Sequence, residues 1–174
     1  MSPAERTEIV DMLEQSREDF RAAVAGVSES LAKTRPEAER WSVLDCVEHV
    51  ATVEEMFLKR LAGGEYTEAP PEDKAKEASL ATRIVDRSSR RQAPETVLPK
   101  GRFASLAEGL EQFEVARGRS LQFAQERAAD LYTLASMHPA FGPLNGVEAL
   151  IIIASHSRRH AEQIREARVA IEKR

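Results

Sequence analysis

Cysteine is nearly absent from this chain. Its 174 residues contain one, Cys46, so no intramolecular disulfide can form, and the composition suits a reducing compartment, with the cytoplasm as the expected location. Aromatic residues make up 5% of the chain and tryptophan occurs once, as Trp41. Positive charge is not in excess either: 25 lysines and arginines stand against 29 acids, for a formal net charge of −4. A general nucleic-acid binder draws its affinity from neutralised phosphates and is normally basic, so nucleic acid is not an expected partner. The longest unbroken apolar run, residues 149–154, falls far short of the roughly 20 needed to span a bilayer, and no membrane partner is expected. The first 15 residues carry acids among their apolar positions, unlike a signal peptide.

Against these absences, hydrophobic residues reach 42% and charged residues 31%, a mix that fits one helical domain over residues 1–174, large enough to bury a core without disulfides. Ser2, Pro3 and Glu5 form a capping box with proline in the first turn. Val10, Leu13, Phe20, Val24, Val27 and Leu31 follow at three-four spacing, broken by Arg17, and predict one long amphipathic helix ending before Pro36. Trp41 leads into a second capping box, Ser42 with Asp45. The helix it opens carries Val43, Cys46, Val50, Val53, Phe57 and Leu61, and Gly63-Gly64 stops it.

Residues 63–104, punctuated by Pro70, Pro71, Pro94 and Pro99, read as a long crossover with helical pattern only over 75–87. Ser105 with Glu108 opens a third helix, with Leu106, Leu110, Phe113, Leu121, Ala124, Leu131 and Leu134, ended by His138-Pro139 and Phe141-Gly142-Pro143. Asn145 with Glu148 starts the last helix, whose stripe is Ala149, Ile153, His156, His160, Ile164, Ala167 and Ile171. No convincing period-2 strand appears. The expected fold class is all-α, a four-helix bundle with a long crossover between the second and third long helices.

Of the four histidines, His156 and His160 sit one helical turn apart, so one cation can reach both. They replace apolar residues in a core-facing stripe, where burying imidazoles is costly unless their nitrogens are satisfied. Water or carbonyl partners at a bundle end would serve, and so would a metal. His49, at the edge of the second helix's apolar face, is the natural third ligand. Three neutral imidazoles suit zinc, nickel, cobalt or iron(II) and leave a coordination position for water or substrate, the pattern of a catalytic site. His138, in the turn before the last helix, reads as a loop or rim residue.

The stretch from Trp41 through Ser-Val-Leu-Asp-Cys-Val-Glu to His49, the stretch from His138 to Glu148, and His156-Ser-Arg-Arg-His160 through Gln163 together resemble the DinB/YfiT-like superfamily of metal-dependent enzymes. The resemblance covers most of the chain in helix order. It implies a four-helix, mainly up-down-down-up bundle, frequently a homodimer, with a divalent transition metal, zinc or nickel foremost, held by His49, His156 and His160. Relatives imply transfer or isomerisation reactions on a small-molecule substrate with a low-molecular-weight thiol cosubstrate such as bacillithiol, mycothiol or glutathione.

Paired helical histidines also occur in zincin peptidases, but there a glutamate follows the first histidine and acts as base; here that position is Ser157. A metal that lowers the pKa of a bound thiol or water suits such a site better. Thiol S-transfer is the leading expectation, metal-dependent hydrolysis the enzymatic alternative, and a noncatalytic metal-binding or interaction bundle the third.

Four further features carry weaker expectations. Cys46 could be a fourth ligand but reads as a small buried hydrophobe. Arg158 and Arg159 flank the histidines and could meet a substrate carboxylate, though solvent is their default. The crossover concentrates Arg83, Arg87, Arg90, Arg91, Lys100 and Arg102 against Asp86 and Glu95, an anion-attracting stretch or simply a solvated loop. Trp41 reads as a packing anchor.

Overall fold

A computed structural model describes residues 1–64, 68–88 and 92–173. The described residues form six α-helices and one hairpin: α1 (Pro3–Val24), α2 (Glu29–Lys33), α3 (Val43–Gly63), α4 (Lys74–Val85), α5 (Leu106–Glu126), β1 (Ala135–His138), β2 (Gly142–Asn145) and α6 (Gly146–Glu172). The four long helices α1, α3, α5 and α6 make the bundle. Their principal contacts form a ring, α1 against α6, α6 against α3, α3 against α5 and α5 against α1, while α4 packs outside on α6. The crossover therefore runs over the outer surface of the last helix.

The helix starts follow the capping chemistry. Ser2, Ser42 and Asn145 each accept the backbone N–H of the residue three positions on, and Glu5, Asp45 and Glu148 each return a bond to the cap's own N–H. Such reciprocal boxes satisfy donors that a helix N-terminus leaves unpaired. Gly64 ends α3 in the left-handed conformation at φ +61°, which glycine adopts without a Cβ penalty.

Three expectations change. The first predicted helix is two. Gly26 turns the chain at φ +74°, and Ser28 caps α2 by accepting from Leu31 N–H. The apolar stripe outlives the helix because α2 packs on α3, so periodicity alone could not show the break. The third helix ends at Glu126 rather than running to the prolines. Arg127 folds onto Asp130, its Nε and Nη2 donating to the carboxylate, and Leu131 reaches the core from a 3₁₀ turn, not from an α-helix. Strand is also present: β1 and β2 pair antiparallel with Ala135 opposite Asn145 and His138 opposite Gly142. At four residues each, these strands are too short to impose an alternation.

A polar belt divides the core. On one side lie Leu13, Val53, Phe57, Leu61, Leu144, Leu150 and Ile153. On the other lie Phe20, Val43, Cys46, Val47, Val50, Phe113 and Ile164, with the Phe20 and Phe113 rings 4.5 Å apart. Each such fully buried side chain contributes about 1.5–3 kcal/mol relative to exposure. Between the clusters every bundle helix places polar groups inward: Ser16, Glu54, Arg117 and Ser157 are all buried, and so are His49 and His160. Among the described residues no helix is long and apolar enough to cross a membrane.

Candidate metal centre

α3 and α6 face one another where His49 meets His156 and His160. His49 and His160 are buried and His156 is half-buried. The Nε2 of His156 lies 3.1 Å from that of His49 and 3.2 Å from that of His160. One ligand atom from each of the three lies within 4.8 Å of the others. A neutral imidazole nitrogen carries either a proton or a lone pair, so a single His156 nitrogen cannot satisfy two neighbours by donation alone.

His49 shows which nitrogen is available. Its Nδ1 lies 2.7 Å from the carbonyl oxygen of Val97, which can only accept, so Nδ1 holds the proton and Nε2 presents a lone pair toward the cluster. The neighbouring Glu48, also buried, takes the backbone N–H groups of Lys100 and Arg102 on its two oxygens. Adjacent residues of α3 thus grip the end of the crossover. Trp41 packs on the other side, its ring 4.7 Å from that of His49 and stacked 5.9 Å from that of His160.

Burial holds all three imidazoles toward their neutral form. His49 is lowered from its ordinary value chiefly by desolvation, opposed by its bond to Val97, while His156 and His160 are lowered further by desolvation, by the neighbouring imidazoles, which resist a second positive charge beside them, and by the Arg159 guanidinium. Neutral imidazole is the form that ligates. The Nδ1 of His160 is buried with no hydrogen-bond partner among the described residues, an uncompensated desolvation that a packed core rarely carries without reason.

The spacing fits an ion. Nitrogens placed tetrahedrally around a zinc-sized cation at about 2.0–2.1 Å stand about 3.3 Å from one another, close to the separations His156 makes here. The donor set, three imidazoles and no carboxylate, matches borderline transition metals better than calcium or magnesium.

The other sequence candidates fall elsewhere. His138, on β1, is outside the cluster: its Nδ1 accepts the N–H groups of Ala140 and Phe141, and its ring lies between Phe57 and Phe141. It is near enough to depress His156 electrostatically, a rim position. Cys46 is fully buried in the apolar cluster, with its thiol pushed far up by desolvation. Arg158 is exposed as expected, but Arg159 is not: its guanidinium is buried and donates to the carbonyls of Ile84 and Asp86.

Of the crossover's cations, Arg87 is bound to Glu166 and Gln163, and Arg102 to Thr52. Arg90 and Arg91 lie outside the described residues. Sequence reading missed the Val97 carbonyl, the Glu48 clamp and a buried ion pair between Arg117 and Glu54. The last carried a trace, a charge at a position where Phe113, Leu121 and Ala124 mark the inward face of α5.

Comparison with known proteins agrees with the fold. A family model for the DinB superfamily matches residues 12–164. The uncharacterised protein YuaE of Bacillus subtilis is 24% identical over 148 residues, covering 85% of this chain and 90% of its own. The structure of YfiT from Bacillus subtilis, described as a probable metal-dependent hydrolase with an unusual four-helix bundle topology, superposes with a TM-score of 0.64 at 16% identity, over 99% of this chain and 90% of that one. A conserved protein from Enterococcus faecalis superposes with a TM-score of 0.68 at 13% identity, over 100% and 99%. The four-helix bundle protein TT2238 gives 0.56 at 21% identity, over 90% and 95%. At these identities the structures speak for the fold.

Proposed function

The chain belongs to the DinB superfamily, and on that premise we propose that it is a metal-dependent enzyme whose ion is held by His49, His156 and His160. The observation that carries this reading is the convergence of three imidazoles, two buried and one half-buried, whose nitrogens cannot satisfy one another and lie within reach of one ion. Zinc or nickel suits the donor set. When bound, such an ion acts as a Lewis acid that lowers the pKa of the nucleophile it takes up.

The chain's own residues supply the rest. The Val97 carbonyl fixes the His49 tautomer and the ring's aim, as outer partners of ligating histidines do. Trp41 walls the cluster and keeps its dielectric low. Burial keeps the imidazoles unprotonated near neutral pH. Among the described residues no carboxylate joins the cluster, so ionising the nucleophile would fall to the metal, which favours a nucleophile that ionises easily. A thiol does so more readily than water, which favours transfer of a small-molecule thiol to an electrophile.

Because Cys46 is buried and its thiol strongly protonated, that thiol would be a cosubstrate. Hydrolysis is the second reading, favoured by the description given to YfiT. Protein purified without a histidine tag should carry about one equivalent of a transition metal, and His156→Ala should remove it. A content below about a tenth of an equivalent would falsify the metal reading. Metal-loaded protein incubated with a panel of thiols and a fluorogenic electrophile should form conjugate. Ester or amide cleavage without any thiol would instead favour hydrolysis.

A further inference from the structure

Beside the histidines, in the same polar belt, Arg117 of α5 is fully buried. Its Nε and Nη2 donate to the two oxygens of Glu54 on α3 at 2.7 and 3.0 Å. Its Nη1 donates to the Leu13 carbonyl and Ser16 Oγ on α1, both at 2.6 Å, and its Nη2 also reaches Ser157 Oγ on α6 at 3.0 Å. Five donors meet five acceptors, and the guanidinium joins all four bundle helices. Ser157 lies between His156 and His160, and Glu54 lies five residues beyond His49.

We infer that the Arg117–Glu54 pair and Ser157 form a positioning network that sets the register of α6 against α3 and so the spacing of His49 to His156 and His160. The inference rests on the metal reading above. A buried ion pair is poor evidence of stabilisation, because apolar residues of similar volume often serve the fold equally well or better. Its distinguishing property is direction: a bidentate guanidinium–carboxylate contact fixes geometry that the apolar side chains along α3 and α6 leave free to slide. Ligand atoms tolerate little sliding, since metal–nitrogen distances hold within about 0.2 Å.

The test is cobalt(II) titration of the full chain, read from the visible d–d bands, alongside thermal unfolding of the metal-free protein. In Glu54→Leu/Arg117→Met both charges go together, and Ser16 and Ser157 keep their own carbonyl acceptors, Leu13 and Ala154. The double variant should unfold at or above the wild-type temperature, yet bind cobalt about tenfold or more weakly with altered d–d bands. Unchanged affinity and spectrum in a folded double variant would overturn the network's role.

If the double variant does not fold, Ser157→Ala decides. Weaker cobalt binding at a nearly unchanged unfolding temperature supports positioning, and unchanged binding overturns it. A wild-type chain that fails to bind cobalt would sink the metal reading itself, a different outcome from variants that bind as well as the wild type.

Discussion

Two buried polar clusters share the belt that separates the apolar halves of the core, and they are built on opposite terms. Around Arg117 every guanidinium N–H has an acceptor. Around His156 three nitrogens crowd together, and among the described residues the Nδ1 of His160 finds no hydrogen-bond partner. Both clusters are largely desolvated, His156 alone being half-buried, so depth is not the main difference. A saturated cluster is complete as folded, whereas one composed only of like, neutral groups is completed by something from outside.

Breaking the saturated cluster by half should have the largest effect. Arg117→Ala strands the Glu54 carboxylate in the core and should destabilise by about 3–5 kcal/mol, measured by urea unfolding; a change below about 1 kcal/mol would contradict the network as drawn.

Completing the unsaturated cluster should come next. Zinc or nickel at about a thousand times its Kd should raise the unfolding free energy by about 4 kcal/mol, and the increment should vanish in His156→Ala. Equal stabilisation of the variant would place the ion elsewhere.

Acid should separate the clusters further. The histidines are lowered in the folded chain, so below about pH 6.5 the unfolded chain binds more protons than the folded one, and stability falls as pH falls. In metal-free protein each buried histidine adds up to about 1.4 kcal/mol per pH unit to that decline. Urea midpoints between pH 7.5 and 5.5 should show it, and a flat profile would mean that the imidazoles are not desolvated.

The smallest effect concerns a group that belongs to neither cluster. Cys46→Val should change metal affinity by less than about twofold, and the native Cys46 thiol should resist alkylating reagents until the chain unfolds. Rapid native-state modification would contradict the burial.

Much of this was legible in the residues. The helix starts were, because reciprocal capping boxes are local and their spacing is fixed by helix geometry. The meeting of His49 with His156 and His160 was legible because both stripes face inward, and a bundle has only one inside. What the sequence hid depends on distant backbone. Val97 contributes a carbonyl, which no side-chain pattern records. The break at Gly26 was masked by an apolar stripe that continues into α2. Arg159 looked like a surface charge until the end of α4 and Asp86 covered it with their carbonyls. Arg117 was legible only as an anomaly, and its partners come from three other helices.

The grip of Glu48 and His49 on the crossover has a consequence for how this chain can vary. Among the described residues of the crossover, the stretch from Val97 to Arg102 is the one bonded to these two residues of α3, and it lies within a few residues of α5. The long passage between Gly64 and Pro94 is spliced in upstream of that attachment. That passage has its own tie to the centre, because Arg159, between His156 and His160, donates to the carbonyls of Ile84 and Asp86 at the end of α4. The crossover is thus pinned to both ligand-bearing helices, at Val97–Arg102 on α3 and at Ile84–Asp86 on α6, so a change of length that shifts either anchor would carry through to the imidazoles.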